Sequence, residues 1–230
     1  MTHLVTDPSG PESGGLTPEA PVAEHPARLS RLGTAFREIV ETLLLALFIY
    51  LTVRAVVQNF KVEGSSMDPT LHHAQYLLVN KAAYMTVDLS QLASRAPALS
   101  VLSQVKVTPF GRPKRGDIVV FRYPRDPSRD FIKRVVALPG ETVEIKAGQV
   151  YVNNLRLEEP YILDNPTYSK EPTVVLSDQY FVLGDNRNNS SDSHVWGPVP
   201  IENVIGKAWL TYWPIKDWGS IPDHAAFASR

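Results

Sequence analysis

The most pronounced hydropathy feature of the chain is a stretch with no polar face at all: Leu43 to Leu51 reads LLLALFIYL. A helix built from it is apolar all round, and such a helix needs lipid or a deep core around it. From Ile39 to Val57 only Glu41 and Arg54 are charged, one near each end, and the segment approaches the roughly 20 residues that cross a bilayer. The pattern predicts one transmembrane anchor over 38–57. A buried core helix or a cleaved signal peptide would share this hydropathy, but Val56-Val57-Gln58 beyond the run offers no small-x-small cleavage pattern. Ahead of the anchor the sequence is rich in Pro, Gly, Ser and Glu and poor in large apolar residues, so 1–37 is expected to be a disordered tail. Arg28, Arg31 and Arg37 precede the span while Lys61 alone follows it closely, which by the positive-inside rule puts the tail in the cytoplasm and 58–230 across the membrane.

Behind the anchor the period changes. QYLLVNK, GDIVVFRYP, DFIKRVVALPGETVEIKAGQVYVNN, TVVLSDQYFVLGDN and IGKAWLTYWP mix β-branched and aromatic residues and are bounded by Gly, Pro, Asn and Asp. They predict a mainly β domain of short strands. Pro139-Gly140 suits the centre of a type II turn, and Ala147-Gly148 with Gln149 suits a hairpin. Within the stretch from Ala82 to Gly111, the part from Asp88 to Gln104 has helix-like spacing of Leu and Val, which fits a short helix on the membrane, a helical excursion or a mobile loop.

Composition narrows the chemistry. With 23 basic and 24 acidic side chains, the net charge of −1 gives no electrostatic footprint for nucleic acid. The chain has no Cys, which excludes disulfides, thiolate metal sites and cysteine nucleophiles. Asp185, Asn186, Asn188 and Asp192 could offer oxygens to calcium, but their spacing does not match an EF-hand, so no metal and no cofactor are expected.

GSSMDPTL, Gly64 to Leu71, reads as a loop displaying a hydroxyl. A nucleophilic Ser66 would need a base. His72, His73 and the Asp192/His194 pair are candidates, yet the Gly-x-Ser-x-Gly elbow is missing because Asp68 stands where its second Gly would be. The other candidate is a Lys. In FIKRVV, strand alternation puts Phe131, Lys133 and Val135 on one face and Ile132, Arg134 and Val136 on the other, so one of two adjacent cations points to the buried side. Arg stays charged, whereas a desolvated Lys can lose its proton near neutral pH. Taken alone, the segment favours a surface Lys whose stem covers apolar neighbours.

GSSMDPTL, RGDIVVF, FIKRVVALPGE and GDNRNNSSDSHVWGPVP, in that order behind one span, resemble the successive sequence boxes of the bacterial type I signal peptidases. The resemblance covers Phe60 to about Pro214. It implies an antiparallel β-sheet or barrel catalytic domain, with Ser66 as nucleophile, Lys133 as general base, and Ser190, Asp192 and Arg134 in support. Ser190 is expected to hydrogen-bond Lys133. The oxyanion would be held by the Ser66 N–H, and the hydroxyl some members add two residues earlier is absent because Gly64 stands there. Substrates would be secretory preproteins bound as an added strand, with small residues one and three before the cut entering pockets at Phe60, Val62, Gly64, Met67, Leu71, Leu77 and Ile132. Membrane lipid is the other expected partner. The chain departs from the family pattern at Ala74-Gln75, at His194 in place of an Arg, and in the longer 82–111 segment; His194 implies a weaker, pH-dependent support. A cytosolic self-cleaving repressor shares the chemistry but lacks the anchor, and a catalytically silent membrane-anchored relative would not need both Ser66 and Lys133.

Overall fold

A computed structural model describes residues 26–84, 87–88, 106–107, 111–224 and 226–227. Helix α1 runs Pro26–Val56. It starts well ahead of the boundary at 38 expected from hydropathy, since the polar flank Ala27 to Arg37 is made largely of helix formers and Pro26 brings a preset φ to the first position. Apolar runs mark where a helix meets lipid and not where it begins. Within Thr34–Val56 of α1, the most apolar 18-residue window has a mean hydropathy of 2.0, and none of that window is buried in protein. Arg37 and Glu41 pair across one turn at 2.6 Å. The expected tail over 1–25 lies outside the described residues.

Residues from Ile49 onward form a second compact unit, in which two antiparallel sheets dominate. Strand β1 (Val57–Lys61) follows α1 directly and pairs with β2 (Tyr76–Asn80). β3 (Val87–Asp88) pairs with β4 (Lys106–Val107); the remainder of the 82–111 insert lies outside the described residues, apart from a 3-10 turn at Ala82–Tyr84 and Gly111. The main sheet continues with β5 (Ile118–Tyr123), β6 (Asp126–Ala137), β11 (Gln179–Leu183), β12 (Val199–Pro200), β13 (Val204–Trp213) and β14 (Gly219–Ser220). Its order is β1-β2-β13-β5-β6-β11-β12, with β14 on β13. The smaller sheet, in the order β10-β7-β8-β9-β15, holds β7 (Thr142–Lys146), β8 (Gln149–Val152), β9 (Leu155–Glu158), β10 (Lys170–Val174) and β15 (Ala226–Phe227).

Local sequence explains the joints. Ala147 and Gly148 both have positive φ between paired Lys146 and Gln149, the conformation of a two-residue primed hairpin. Asn153-Asn154 repeats it between β8 and β9, at a place where Asn tolerates the left-handed region. At Pro139-Gly140, Gly140 takes φ +84° and Glu141 N–H donates to the Leu138 carbonyl, as a type II turn requires.

The core has three parts, and two of them lie on opposite faces of the main sheet. Val62, Met67, Leu71, Leu77, Ile118, Ala208 and Ile221 cluster on one face, with Ile132 against them. Val119, Phe121, Val135, Tyr180, Val182, Trp196 and Val199 fill the other, with Tyr123 and Phe131 packed on. Ile118 to Phe121 is buried on both sides, which is why it reads as an unbroken apolar run with no alternation.

One consequence of the topology matters for function. β1 ends the sheet path, and β6 pairs with β11 only from Arg134 onward. Among the described residues, β1 and the 126–133 half of β6 therefore each keep one unpaired edge.

Candidate active site

Ser66 sits in the turn that follows β1, and two neighbours fix its backbone. Asn186 N–H donates to the Ser66 carbonyl at 3.1 Å, while the Asn186 amide and Asp68 N–H both donate to the Ser65 carbonyl at 3.1 Å. Asn189 Nδ2 donates to the Ser65 hydroxyl oxygen at 2.9 Å, which ties that serine to the loop. The Ser66 N–H has no acceptor among the described residues.

Lys133 reaches this turn from β6. Its Nζ lies 2.8 Å from Ser66 Oγ and 2.8 Å from the Ile132 carbonyl oxygen. The side chain is buried, with 4% exposure, so the surface-lysine reading does not hold. Burial lowers its pKa from 10.5 to about 8, against the pull of the Asp192 and Asp185 charges, which raise it. A lysine near pKa 8 is unprotonated in an appreciable fraction of molecules at neutral pH. In that form the pair reverses polarity, and the hydroxyl donates to the nitrogen lone pair.

Arg134 points to the opposite face and is also fully buried. It makes a bidentate pair with Asp185, Nε to Oδ1 at 2.8 Å and Nη2 to Oδ2 at 2.7 Å. Nη1 donates to the Gly116 carbonyl at 2.8 Å, and the guanidinium lies 4.0 Å from the Tyr161 ring centroid. Both cations of the Lys-Arg pair are thus enclosed, one paired and one not.

Asp192 is buried and accepts from Gly184 N–H at 2.9 Å, and His194 Nδ1 lies 2.6 Å from its other oxygen. The His194 ring stacks on Tyr168 at 3.9 Å. Its nitrogen facing Asp192 is occupied, and it does not line the cleft that holds Ser66. Ser190 differs from expectation: its Oγ is buried with no hydrogen-bond partner, so the bond to Lys133 is not formed. The reason is packing, since Ser190 lies against Gly184 while Lys133 turns its amine to Ser66 and Ile132.

A cleft of about 440 Å³ opens between β1 and β6. Phe60, Val62, Leu77 and Ile132 line it together with Ser66 and Lys133, as expected for substrate contact. Gly64, Met67 and Leu71 do not. Met67 and Leu71 are buried beneath the turn in the core cluster, and Gly64 is exposed at φ +85°, with its N–H donated to His73 Nδ1 at 3.0 Å. Apolar residues next to Ser66 divide between cleft and core according to which way the turn rolls, and composition does not encode that.

Gly184 is the residue that motif reading passed over. A Cβ there would collide with the Ser66 carbonyl oxygen and with Ser190 Oγ, closer than any real Cβ contact. The signal was present as the Gly opening GDN, which in the sequence marks only a strand boundary and the start of the last motif. Gly184→Ala should displace the Ser66 turn, costing about 1–3 kcal/mol of stability as overpacking does. Precursor cleavage should fall with it, which a cleavage assay beside a thermal unfolding curve checks.

The family described as signal peptidase, peptidase S26, matches residues 36–213 of the chain. A signal peptidase I of Leptolyngbya laminosa is 36% identical over 218 residues, covering 91% of this chain and 96% of the relative. The chain belongs to the type I signal peptidases of family S26. A signal peptidase I of Pseudomonas aeruginosa is 36% identical over 77% of this chain and 73% of its own. A chloroplastic thylakoidal processing peptidase of Arabidopsis thaliana is 35% identical over 70% of this chain and 43% of its own. The chain is accordingly a serine endopeptidase that removes signal peptides, anchored to a membrane by the α1 helix.

Proposed function

We propose that Ser66 Oγ is the attacking atom and Lys133 the general base of a Ser-Lys dyad. The observation that carries this is the 2.8 Å approach of a buried lysine amine to the Ser66 hydroxyl. Unprotonated Lys133 takes the hydroxyl proton as Oγ adds to the peptide carbonyl, then returns it to the leaving amine. The ester that remains is hydrolysed by a water that Lys133 deprotonates in turn. The Ser66 N–H, without an acceptor among the described residues, is the natural oxyanion donor, being a backbone dipole fixed before the charge develops.

The substrates are secretory preproteins with small residues one and three before the cut. The unpaired edges of β1 and β6 offer backbone partners to an extended segment, and Phe60, Val62, Leu77 and Ile132 give one apolar wall for alternate side chains. Arg28, Arg31 and Arg37 before the span support a cytoplasmic N-terminus, with the β domain on the outer side of the cell membrane. Asp192 and Arg134 support the site without touching substrate, while Ser190 only packs on Gly184 beside it.

The pH dependence tests this reading. Protonated Lys133 cannot accept a proton, so kcat/KM for a quenched peptide should climb about tenfold per pH unit below 8 and level off above it. A profile that is flat from pH 6 to 9 would exclude Lys133 as the base.

A further inference from the structure

The cleft is lined at its far end by charge, which small apolar pockets do not require. Arg129 lies on β6 four residues before Lys133, about 13 Å away by the strand rise. Its guanidinium carbon sits 5.2 Å from the Phe131 ring centroid and 6.0 Å from that of Tyr123, and those two rings stack at 4.6 Å with an interplanar angle of 11°. An exposed arginine is thereby held over an aromatic platform and faces the cleft. A guanidinium ordered in this way loses little freedom when a carboxylate arrives.

Strand alternation assigns its place on a substrate. A segment paired beside β6 with its first and third residues before the cut on the Ile132 side must turn its second and fourth residues to the other side. Phe131 and Arg129 occupy that side, with Phe131 nearer Lys133 and Arg129 two residues farther out. Asp130 shares the Ile132 face and so points away from the fourth residue. From the opposite wall, Lys61 adds a second cation, and Glu63 follows it toward Ser66, nearer the cut. The charge facing the fourth residue is positive.

We propose that Arg129 is a specificity-determining residue that selects an acidic side chain at the fourth residue before the cut. The proposal rests on the strand-addition reading given above. The test uses the full chain in detergent and quenched peptides with Ala one and three before the cut and Glu, Gln or Lys at the fourth. We expect kcat/KM to fall from Glu to Gln to Lys, with about fivefold between the extremes, the factor an exposed ion pair supplies. Arg129→Gln should erase the order and Arg129→Glu should invert it; moving the charge to the fifth residue should remove the preference. Equal rates for all three peptides, or the same order retained in Arg129→Glu, would overturn the assignment while leaving the dyad standing. Cleavage of none of them by the unmutated chain would overturn the dyad and the assignment together.

Discussion

Lys133→Ala is expected to abolish precursor cleavage, lowering kcat by about 10³-fold or more if Lys133 is the base of the proposed dyad, since a positioned general base contributes roughly 10²–10⁴-fold and a nucleophile that loses its base loses nearly all function. Lys133→Arg is expected to be equally inactive, because a guanidinium stays charged and accepts no proton. His194→Ala should retain most of its activity, since that ring pairs with Asp192 and lies outside the cleft. Lys133→Met supplies a second, independent readout. Lowering a lysine from 10.5 to about 8 costs on the order of 3 kcal/mol against the charged form, so the inactive Met variant should unfold at a higher temperature than the parent. The sign with pH is fixed. Below 8 the folded and unfolded chains both carry the proton and the burial penalty is complete; between 8 and 10.5 it fades as the folded chain alone has lost the proton. The stability gap between Lys133→Met and the parent should therefore be widest below pH 8 and close toward pH 10.5. Retained cleavage in Lys133→Ala would end the dyad reading.

The parts of this molecule that local chemistry controls were legible in its residues. The anchor, the strands, the Pro139-Gly140 turn and the Ala147-Gly148 hairpin each follow from hydropathy or from a residue that permits a positive φ. The Asn153-Asn154 hairpin obeys the same rule, although in the sequence its two asparagines mark only the end of a strand-like run. The partnership of Ser66 with Lys133 is different, because 67 positions separate them in the chain and a strand pattern states only that Lys133 alternates with Arg134. Alternation predicted that one cation turns inward; the structure encloses both, since each face of β6 packs against its own core cluster. Ser190 and Gly184 show the remaining limit. Whether a hydroxyl reaches a lysine or rests on a glycine depends on angstrom-scale packing between loops, which neither propensity nor spacing carries.

Asp185→Ala should be the most destabilising single substitution in the β domain. It leaves the Arg134 guanidinium fully buried without its carboxylate, and breaking one side of a buried pair costs about 3–5 kcal/mol. For a domain of this size that lowers the unfolding midpoint by roughly 10 °C, measurable in detergent. Replacing both partners, Arg134→Met with Asp185→Leu, should recover much of the loss, because the large penalty belongs to the orphaned charge and not to the absence of the pair. Activity should separate the two variants from a purely structural account. Thr70, in the Ser66 turn, donates to Asp185 Oδ2 at 2.5 Å, and Asn186 beside it holds the Ser66 carbonyl, so the double variant should regain stability without regaining full cleavage. Asp185 also raises the Lys133 pKa through its charge. Whatever activity Asp185→Ala keeps should thus rise at lower pH than in the parent, as the proton leaves Lys133 more readily once that negative charge is gone. An unchanged pH profile together with an unchanged unfolding midpoint would show that Asp185 neither compensates Arg134 nor acts on Lys133.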